Sequence, residues 1–284
     1  MNPAYHIEQI DNPTPDTINH VKDGIREFNQ QHGYTDITPI AVLLRDSAQN
    51  IIGGVYGELG LNWLYVDLLW VGNAHKKQGH GRQLMHCIEQ YALEQGVANI
   101  HLATTSFQAL PFYYHIGYRL FGKIEDRPQG YNYYYLQKKI ETTSHKNTAL
   151  NAIINPAGND IRAIAQGLRQ HNLNKGISSK SHKVCIVLKD DNGVILGGLL
   201  GAIYWDWLDL QTFWIHESLR HQGYGTKMLK LAEDMAQKHN APHIILDVID
   251  FQGLPFFGRH GFMTFATLPD RPKDHTTYFL TKHL

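Results

Sequence analysis

The chain has 284 residues, and its 26 basic and 26 acidic side chains give a formal net charge of zero. This length fits one large or two ordinary domains, and the balanced charge excludes the basic footprint of a nucleic-acid-binding protein or a polybasic membrane segment. No apolar run approaches the ~20 residues of a membrane span, and residues 1–11 lack a signal-peptide pattern. We therefore expect a cytoplasmic protein, unless a route without a sequence signal exports it, with neither nucleic acid nor membrane as a partner.

Both halves of the chain predict the same order of elements: strand, helix, strands, helix, strand, helix and strands. The first half predicts a helix around 18–28, a hairpin at 40–44 and 51–56, an apolar central strand at 63–71, a helix around 84–92, and strands at 99–103 and 131–136. The second half predicts the same elements at 161–168, 184–188 and 194–200, 207–215, 228–236, 243–248 and 277–281. This order indicates an α/β fold with mixed sheets, because it lacks the regular βαβα alternation of a doubly wound sheet.

The similarity of the halves is a sequence repeat with an offset of 144 residues. Gln78-Gly79-His80-Gly81 returns as Gln222-Gly223-Tyr224-Gly225, and Trp70 returns as Trp214. The offset holds without a gap over 53–136 and is too long for a solenoid or propeller, whose repeats run roughly 20–50 residues. We therefore predict two tandem domains, at 1–140 and 148–284, joined by a short polar linker at 141–147.

Each half contains a Gly-x-Gly turn between the central strand and a helix. Such a turn leaves helix N–H groups unpaired and pointing one way, and the helix dipole favours an anion there. By itself it is also compatible with a plain strand-to-helix turn. The phosphate-binding loop of nucleotide hydrolases is absent, and no third glycine completes the dinucleotide-binding fingerprint. The residues around the turn must therefore decide what it holds.

Those residues resemble the GNAT superfamily of N-acetyltransferases. Arg220-His221-Gln222-Gly223-Tyr224-Gly225, after Phe213-Trp214-Ile215, is similar to the acetyl-CoA-binding motif of that family. Lys76-Lys77-Gln78-Gly79-His80-Gly81 repeats it with lysine in place of the usual arginine or glutamine. The family's second signature, a helix carrying Phe-Tyr ahead of Gly-Tyr or Gly-Phe, is similar to 105–118 and 250–262. The resemblance spans essentially the whole chain.

The resemblance implies two tandem GNAT-like domains, each with a splayed central mixed sheet flanked by helices, and acetyl-CoA as the co-substrate. Pantetheine would pair with the strand ends, and the loop amides would hold the pyrophosphate. The cofactor-binding residues implied in the first domain are Trp70, Val71, Lys76, Lys77, Gln78, Gly79, His80, Gly81, Arg82 and Ser106. Those implied in the second are Trp214, Ile215, Arg220, His221, Gln222, Gly223, Tyr224, Gly225, Thr226 and Asp250.

Acetyl transfer to an amine needs a base for the attacking nitrogen and an acid for the departing thiolate. By the resemblance, Tyr113 is the acid, and Asp67 in the apolar central strand can serve as the base if burial raises its pKa. A structural hydrogen bond is the competing role for Asp67. The second domain has Phe257 and Gln211 at these positions, although Asp209 lies two residues before Gln211. We expect the first domain to catalyse and the second to bind acetyl-CoA for structure or regulation.

We therefore predict an acetyl-CoA-dependent N-acetyltransferase that works without a covalent enzyme intermediate. The alternative is a non-catalytic acetyl-CoA-binding regulatory or interaction module. We expect no metal site. Pro242 interrupts the pair His239 and His243, and the pairs His75 and His80, and His216 and His221, have neither a helical relation nor a nearby ligand at the right spacing. The acceptor amine, on a small molecule or a protein, and the oligomeric state stay open. The two domains can act as an internal pseudo-dimer, and cleft-facing tyrosines of 131–135 can line an acceptor pocket.

Overall fold

The fold was analysed in a computed structural model, which describes residues 5–34, 37–141, 150–178 and 180–284. The first half contains β1 (Tyr5–Gln9), α1 (Pro15–Gln31), β2 (Thr38–Arg45), β3 (Ile51–Gly60), β4 (Trp63–Val71), α2 (His80–Glu94), β5 (Asn99–Thr105), α3 (Leu110–His115), β6 (Arg119–Ile124) and β7 (Tyr133–Lys139). The second half repeats them as β8 (Ala152–Ile154), α4 (Gly158–Leu173), β9 (His182–Asp190), β10 (Ile195–Tyr204), β11 (Trp207–Ile215), α5 (Tyr224–Lys238), β12 (His243–Ile249), α6 (Leu254–Arg259), β13 (Met263–Pro269) and β14 (Thr276–His283).

The strands form two mixed sheets of seven strands each, in the orders β6-β7-β5-β4-β3-β2-β8 and β1-β9-β10-β11-β12-β14-β13. The predicted apolar strands, β4 and β11, are the fourth strands of their sheets. Each is hydrogen-bonded on both edges, which explains its near-continuous apolar sequence. These sheets and their flanking helices confirm the predicted fold class.

The two halves exchange their first strands. β1 pairs antiparallel with β9, with Tyr5 opposite Asp190, and β8 pairs antiparallel with β2, with Ile40 opposite Ile154. Each sheet therefore takes six strands from one half and an edge strand from the other. The predicted boundaries at 1–140 and 148–284 describe the two copies in the sequence, whereas the folded units are made of residues from both. The predicted linker, apart from Glu141, lies outside the described residues.

The helices that follow these strands are exchanged as well. α1 packs on β10 and β11, and α4 packs on β3 and β4. Each of these helices has a glycine against a tryptophan of the sheet. A Cβ on Gly24 would lie 2.3 Å from the indole of Trp214, and one on Gly167 would lie 2.2 Å from the indole of Trp70. The glycines are therefore needed for the helices to approach this closely, because an indole cannot yield by that much.

The central strands separate from their parallel neighbours partway along. β4 pairs with β5 only from Trp63 to Val66, and β11 pairs with β12 only from Trp207 to Asp209. Beyond these points the facing backbone groups of the described strands are not joined to each other. The result is a V-shaped opening at the end of each sheet, as the resemblance implied.

A β-bulge lies on each central strand where the opening begins. Tyr56 faces Leu68 and Gly57 faces Val66, so Asp67 is the extra residue between them. Gln211 is the extra residue at the equivalent place on β11. A bulge redirects a side chain and sharpens the local twist.

An apolar core fills the space between each sheet and its helix, α2 or α5, and a third cluster joins the two units. That joining cluster consists of Trp63, Ile124, Tyr135, Trp207, Ile245, Ala266, Leu268 and Phe279, all buried. Cys87 and Cys185 are buried and form no disulfide with each other. Within the described part of the chain, no helix is both long and apolar enough to span a membrane.

Candidate active site

The glycine loops have the geometry that an anion site requires. Gly79 and Gly223 cap α2 and α5 with φ values of 84° and 83°, in the left-handed region that glycine adopts at little cost. Gln83 is the first residue of its turn whose amide reaches a backbone carbonyl, that of Gly79. The preceding helix amides point out of the turn towards the opening between β4 and β5. Both loops can therefore accept a phosphate group through the main chain.

The first cleft runs from this loop into the opening of its sheet and has a volume of about 660 Å³. The structure brings most of the predicted first-half residues to its walls. These are Asp67, Trp70, Val71, Lys76, Lys77, Gly79, His80, Gly81, Arg82 and Tyr113. Two predicted residues do not line it. Gln78 turns back to donate from Nε2 to the Ala74 carbonyl, and Ser106 Oγ accepts from the Asn132 amide.

The second cleft occupies the equivalent place and is smaller, at about 470 Å³. The predicted residues on its walls are Trp214, Ile215, Arg220, His221, Gly223, Gly225 and Thr226. Three others lie elsewhere. Gln222 donates from Nε2 to the Ser218 carbonyl, Tyr224 packs edge-on against Tyr5, and Asp250 accepts from His275 and from the Thr276 amide.

Each cleft has a wall from the other half of the chain, which the sequence analysis missed. Leu168, His171 and Lys175, on or just after α4, line the first cleft. Ile25 and Phe28 of α1 line the second. A tandem repeat carries no signal for this exchange, because both copies hold the same docking residues.

Hydrogen bonds hold the exchanged helices to the second signature motif. Gln108 accepts from the Thr105 amide and donates to Asn172 Oδ1 of α4 at 3.2 Å. Gln252 makes the equivalent bond to Asn29 Oδ1 of α1 at 2.7 Å. The glutamine of the repeated Phe-Gln pair, Gln108 or Gln252, thus joins each exchanged helix to the second signature motif of its cleft.

Cationic side chains from both halves gather at the mouth of the first cleft. Lys76 Nζ lies 3.2 Å from His171 Nδ1, and burial together with Lys175 lowers the pKa of Lys76. Lys77 and Arg82 stand beside them on the cleft wall. In the second cleft Arg220 donates to the Ile215 carbonyl at 3.0 Å and lies over the Phe28 ring at 4.8 Å. The first cleft therefore presents its lysines as flexible charges suited to phosphate, whereas Arg220 is held against the exchanged helix.

Tyr113 lies on α3 in the wall of the first cleft, 7% exposed. Burial raises the pKa of its hydroxyl well above the usual range, so the group keeps its proton. No hydrogen-bond partner of this hydroxyl occurs among the described residues, so the proton is available to a ligand. Phe257 occupies the same position in the second cleft and is 3% exposed. The second cleft therefore lacks this donor.

Asp67 lies in the wall of the first cleft, on the bulge of β4 where the opening begins. Its side chain is open to the cavity although protein surrounds it on most sides. Burial, with a smaller contribution from Glu58, raises the pKa of its carboxyl to about 6. The Tyr65 hydroxyl lies 3.5 Å from Oδ1, which is long for a hydrogen bond. Asp67 is therefore placed and poised to accept a proton near neutral pH.

The second half has no free carboxylate at this place. Gln211 occupies the bulge but does not line the second cleft. Asp209 accepts from the guanidinium of Arg127 at 3.2 Å and from the hydroxyl of Tyr204. Its carboxylate is therefore engaged across the interface between the units.

No group of three or more His, Cys, Asp or Glu side chains that could hold a metal ion occurs in the described ranges. The histidines of the loops, such as His80 with Gln83 and His216 with Ser218, bond to neighbouring polar side chains.

Comparison with known proteins finds the same family in both halves of the chain. Residues 3–118 and 159–262 each match the profile of the acetyltransferase (GNAT) family. A blasticidin-S acetyltransferase of Streptomyces morookaense is 37% identical over 95 residues, covering 33% of this chain and 70% of the relative. An acetyltransferase of Agrobacterium fabrum is 29% identical over 107 residues, covering 38% and 78%. The crystal structure of an acetyltransferase from Bacillus cereus, 30% identical, covers 46% of this chain and 96% of its own, with a TM-score of 0.43.

Proposed function

The chain belongs to the GNAT acetyltransferase family and is an acyltransferase enzyme, and we propose that its first cleft transfers the acetyl group of acetyl-CoA to a primary amine while its second cleft binds acetyl-CoA without catalysis. The observation that carries this proposal is the asymmetry of two clefts built on the same plan. Asp67 and Tyr113 both face the first cleft, and Gln211 and Phe257 replace them in the second copy.

The residues of the first cleft supply what the co-substrate needs. The Gly79 loop amides and the cations Lys76, Lys77 and Arg82 are suited to the pyrophosphate. Backbone groups of β4 beyond Val66, which do not pair with β5, are available to pantetheine as they would be to an added strand. The thioester then points towards the place where β4 separates from β5, where Asp67 lies.

Asp67 and Tyr113 divide the two proton transfers. Asp67, directly or through a water, takes a proton from the ammonium so that the neutral nitrogen can attack the thioester carbonyl. The new C–N bond forms, the C–S bond breaks, and Tyr113 gives its proton to the departing thiolate. The nitrogen loses its second proton, through water, to the Tyr113 phenolate, which regenerates the phenol, and Asp67 releases the first proton to solvent. This direct attack involves no covalent enzyme intermediate, in keeping with a cleft whose described lining residues include no cysteine or serine.

The second cleft keeps the loop and loses the proton chemistry. Its Gly223 turn matches that of Gly79 to within a degree in φ. Acetyl-CoA bound there would stabilise the docking of α1 and of the exchanged edge strand β1, because a ligand that binds only the folded state stabilises that state. The second unit therefore takes the non-catalytic acetyl-CoA-binding role. Membership of an enzyme family argues against that role for the whole chain.

A small-molecule acceptor is the better-supported class. The relative from Streptomyces morookaense carries the name of a blasticidin-S acetyltransferase, and blasticidin-S is a small molecule. Asp67 lies in the wall of a cleft of about 660 Å³, a volume within the range of small-molecule sites.

The test is amine-dependent release of CoA thiol by the purified protein across a panel of amines. We expect Tyr113→Phe to lower kcat by about 10²–10⁴ at unchanged acetyl-CoA affinity. Phe257→Leu, a conservative change at the equivalent position of the other cleft, should leave kcat within about twofold. Equal losses from the two changes would refute the division between the clefts, and no thiol release with any amine would refute the activity.

A further inference from the structure

The two clefts match at the glycine-loop end and differ at the opposite end. A Cβ on Gly81 would lie 3.4 Å from the Phe112 ring, and one on Gly225 would lie 3.4 Å from the Phe256 ring. The start of the loop helix and the signature helix are therefore equally far apart in both clefts. We call the opposite end, at which the central strand separates from its parallel neighbour, the inner end of each cleft.

Only the first cleft extends to its inner end. Its lining there is formed by Asp67, Ala103 and Thr104. The residues at the equivalent positions of the second copy do not line the second cleft, and these are Gln211, Asp247 and Val248. The volumes differ in the same sense, at about 660 Å³ for the first cleft and about 470 Å³ for the second.

A third cavity, of about 400 Å³ and lined by strands of both sheets, shows the same difference. Asp67 and Ala103 line this cavity as well as the first cleft. Gln211 and Asp247 line the cavity but not the second cleft. The first cleft therefore reaches towards the space between the sheets, whereas the second cleft ends before it.

Three phenylalanine rings close the second cleft at its inner end. Phe213 stands where the first cleft has Leu69, and its ring centroid lies 5.8 Å from that of Phe256 and 6.1 Å from that of Phe257. The centroids of Phe256 and Phe257 are 5.2 Å apart. These are contact distances for edge-on aromatic pairs, so the rings leave no space for a chain between them.

The rings are also held in place from behind. Phe213 and Phe256 pack against the apolar core of the second unit, and Phe257 is 3% exposed. A close-packed interior resists displacement of its side chains. The closure is therefore a fixed wall, which a ligand cannot push aside at little cost.

The closure lies where the acyl group of a bound thioester would be. Pantetheine that pairs with β11 beyond Asp209, where β11 has left β12, brings its sulfur to the inner end. In the first cleft an acyl chain attached to that sulfur passes Leu69 and enters open space. In the second cleft the same chain meets the ring of Phe213.

We propose that the second cleft selects among CoA thioesters by acyl length, with Phe213 as the residue that sets the limit. It binds free CoA most tightly, acetyl-CoA less tightly and thioesters with longer acyl chains poorly, whereas the first cleft accepts all of them. This proposal rests on the CoA binding proposed for the second cleft. The best ligand of that cleft is therefore the CoA product of the transfer proposed for the first.

Calorimetry with CoA, acetyl-CoA and butyryl-CoA tests the proposal on protein with one cleft disabled. Gly79→Glu disables the first cleft and Gly223→Glu the second, because a carboxylate at the loop repels the pyrophosphate. A Cβ at either glycine would meet no described atom within 4 Å apart from its chain neighbours, so the side chain has room.

In Gly79→Glu, which leaves the second cleft, we expect Kd to rise about tenfold or more from CoA to butyryl-CoA, since a single methylene in an apolar pocket changes recognition by about tenfold or more. In Gly223→Glu, which leaves the first cleft, the Kd values of the three ligands should agree within about threefold. Equal binding of CoA and butyryl-CoA by Gly79→Glu would overturn the proposal.

An exchange of the residues at this one position should exchange the behaviour. Phe213→Leu, added to Gly79→Glu, should bring Kd for butyryl-CoA within about threefold of that for CoA. Leu69→Phe, added to Gly223→Glu, should raise Kd for butyryl-CoA about tenfold and leave that for CoA unchanged. Discrimination that stays tenfold in Phe213→Leu and does not appear in Leu69→Phe would refute the role of Phe213.

The same titrations separate this inference from the function on which it rests. If Gly79→Glu binds none of the three ligands, the second cleft is not a CoA site, and both the function proposed for it and the inference are refuted. If Gly79→Glu binds all three alike, only the limit on acyl length is refuted, and the second cleft remains a non-catalytic CoA site.

Discussion

The contact between Gly167 and Trp70 gives a sharp test of the helix exchange. In Gly167→Ala the new Cβ would lie 2.2 Å from Cδ2 and Cε2 of the indole, whereas ordinary contacts begin near 3.4 Å. Helix and sheet would therefore have to separate by more than an ångström. Overpacking of this kind costs about 2–3 kcal/mol, and the better helix propensity of alanine returns about 1 kcal/mol. We expect a net loss of about 1–2 kcal/mol.

The same change should also affect the chemistry, because α4 carries Leu168 and His171 into the first cleft. A displacement of about 1 Å in a wall that positions substrate can cost up to about 10² in rate. Gly24→Ala is the matched variant, since its Cβ would lie 2.3 Å from Trp214 in the other unit. It should lower stability by a similar amount and leave kcat/KM almost unchanged.

The assays are thermal unfolding, with an expected fall in Tm of about 3–6 °C for either variant, and amine-dependent thiol release. Gln166→Ala, on the exposed face of the same helix, controls for the composition of α4 and should not lower Tm. A rise in Tm for Gly167→Ala would refute the docking of α4 on Trp70. An equal loss of kcat/KM in Gly24→Ala would refute the assignment of catalysis to the first cleft alone.

Three further predictions concern the proton relay, the loops and the interface. The base must be ionised, and the pKa of Asp67 is about 6, so kcat at saturating amine should fall about tenfold per pH unit below pH 6. Asp67→Asn should abolish this fall in kcat at low pH. A fall that persists in the variant would identify another base. Gly79→Ala and Gly223→Ala each place an alanine in the left-handed region, at a cost of about 1–2 kcal/mol. Calorimetry should find one weakened acetyl-CoA site in each variant, and only Gly79→Ala should lose activity. Two unaltered sites in either variant would contradict the loop assignment. Arg127→Met leaves Asp209 without its counterion and should lower the free energy of unfolding, measured by chemical denaturation, by about 3 kcal/mol. The double variant Arg127→Met with Asp209→Asn should recover part of this free energy. No recovery would mean that loss of the ion pair is not the cause.

The sequence predicted the local structure of this chain well, because each element carries its own signal. The apolar run at Trp63–Val71, broken only by Asp67, became the central strand β4, and the glycines at 79 and 223 took the left-handed caps that the loop motif requires. Of the 22 residues expected at the clefts, 17 line them. The exceptions, such as Gln78 and Ser106, have side chains that bond to nearby backbone groups, which a motif cannot reveal.

The exchange of β1 and α1 for β8 and α4 could not be predicted from the repeat. Gly24 faces Trp214 and Gly167 faces Trp70, so each helix would meet the same partner residue in either copy. Docking within a copy and docking between copies therefore satisfy the same local complementarity. The cavity of about 400 Å³ between the two sheets was equally hidden, because its lining residues, such as His101 and Asp209, come from different halves of the chain.

The exchanged arms also impose an order on folding during synthesis. When the ribosome completes α1 at Gln31, the strands that receive this helix, β10 and β11, are still encoded downstream and end only at Ile215. At ~5–20 residues per second, translation takes roughly 10–40 s to cover that distance. Throughout this interval the nascent helix has no sheet to cover its apolar side, and the first sheet also waits for the strand at Ala152–Ile154. The first unit is complete once α4 ends at Leu173, whereas the second is complete only with β14. The arm that is made first, β1 and α1, therefore waits the longest for the sheet that receives it.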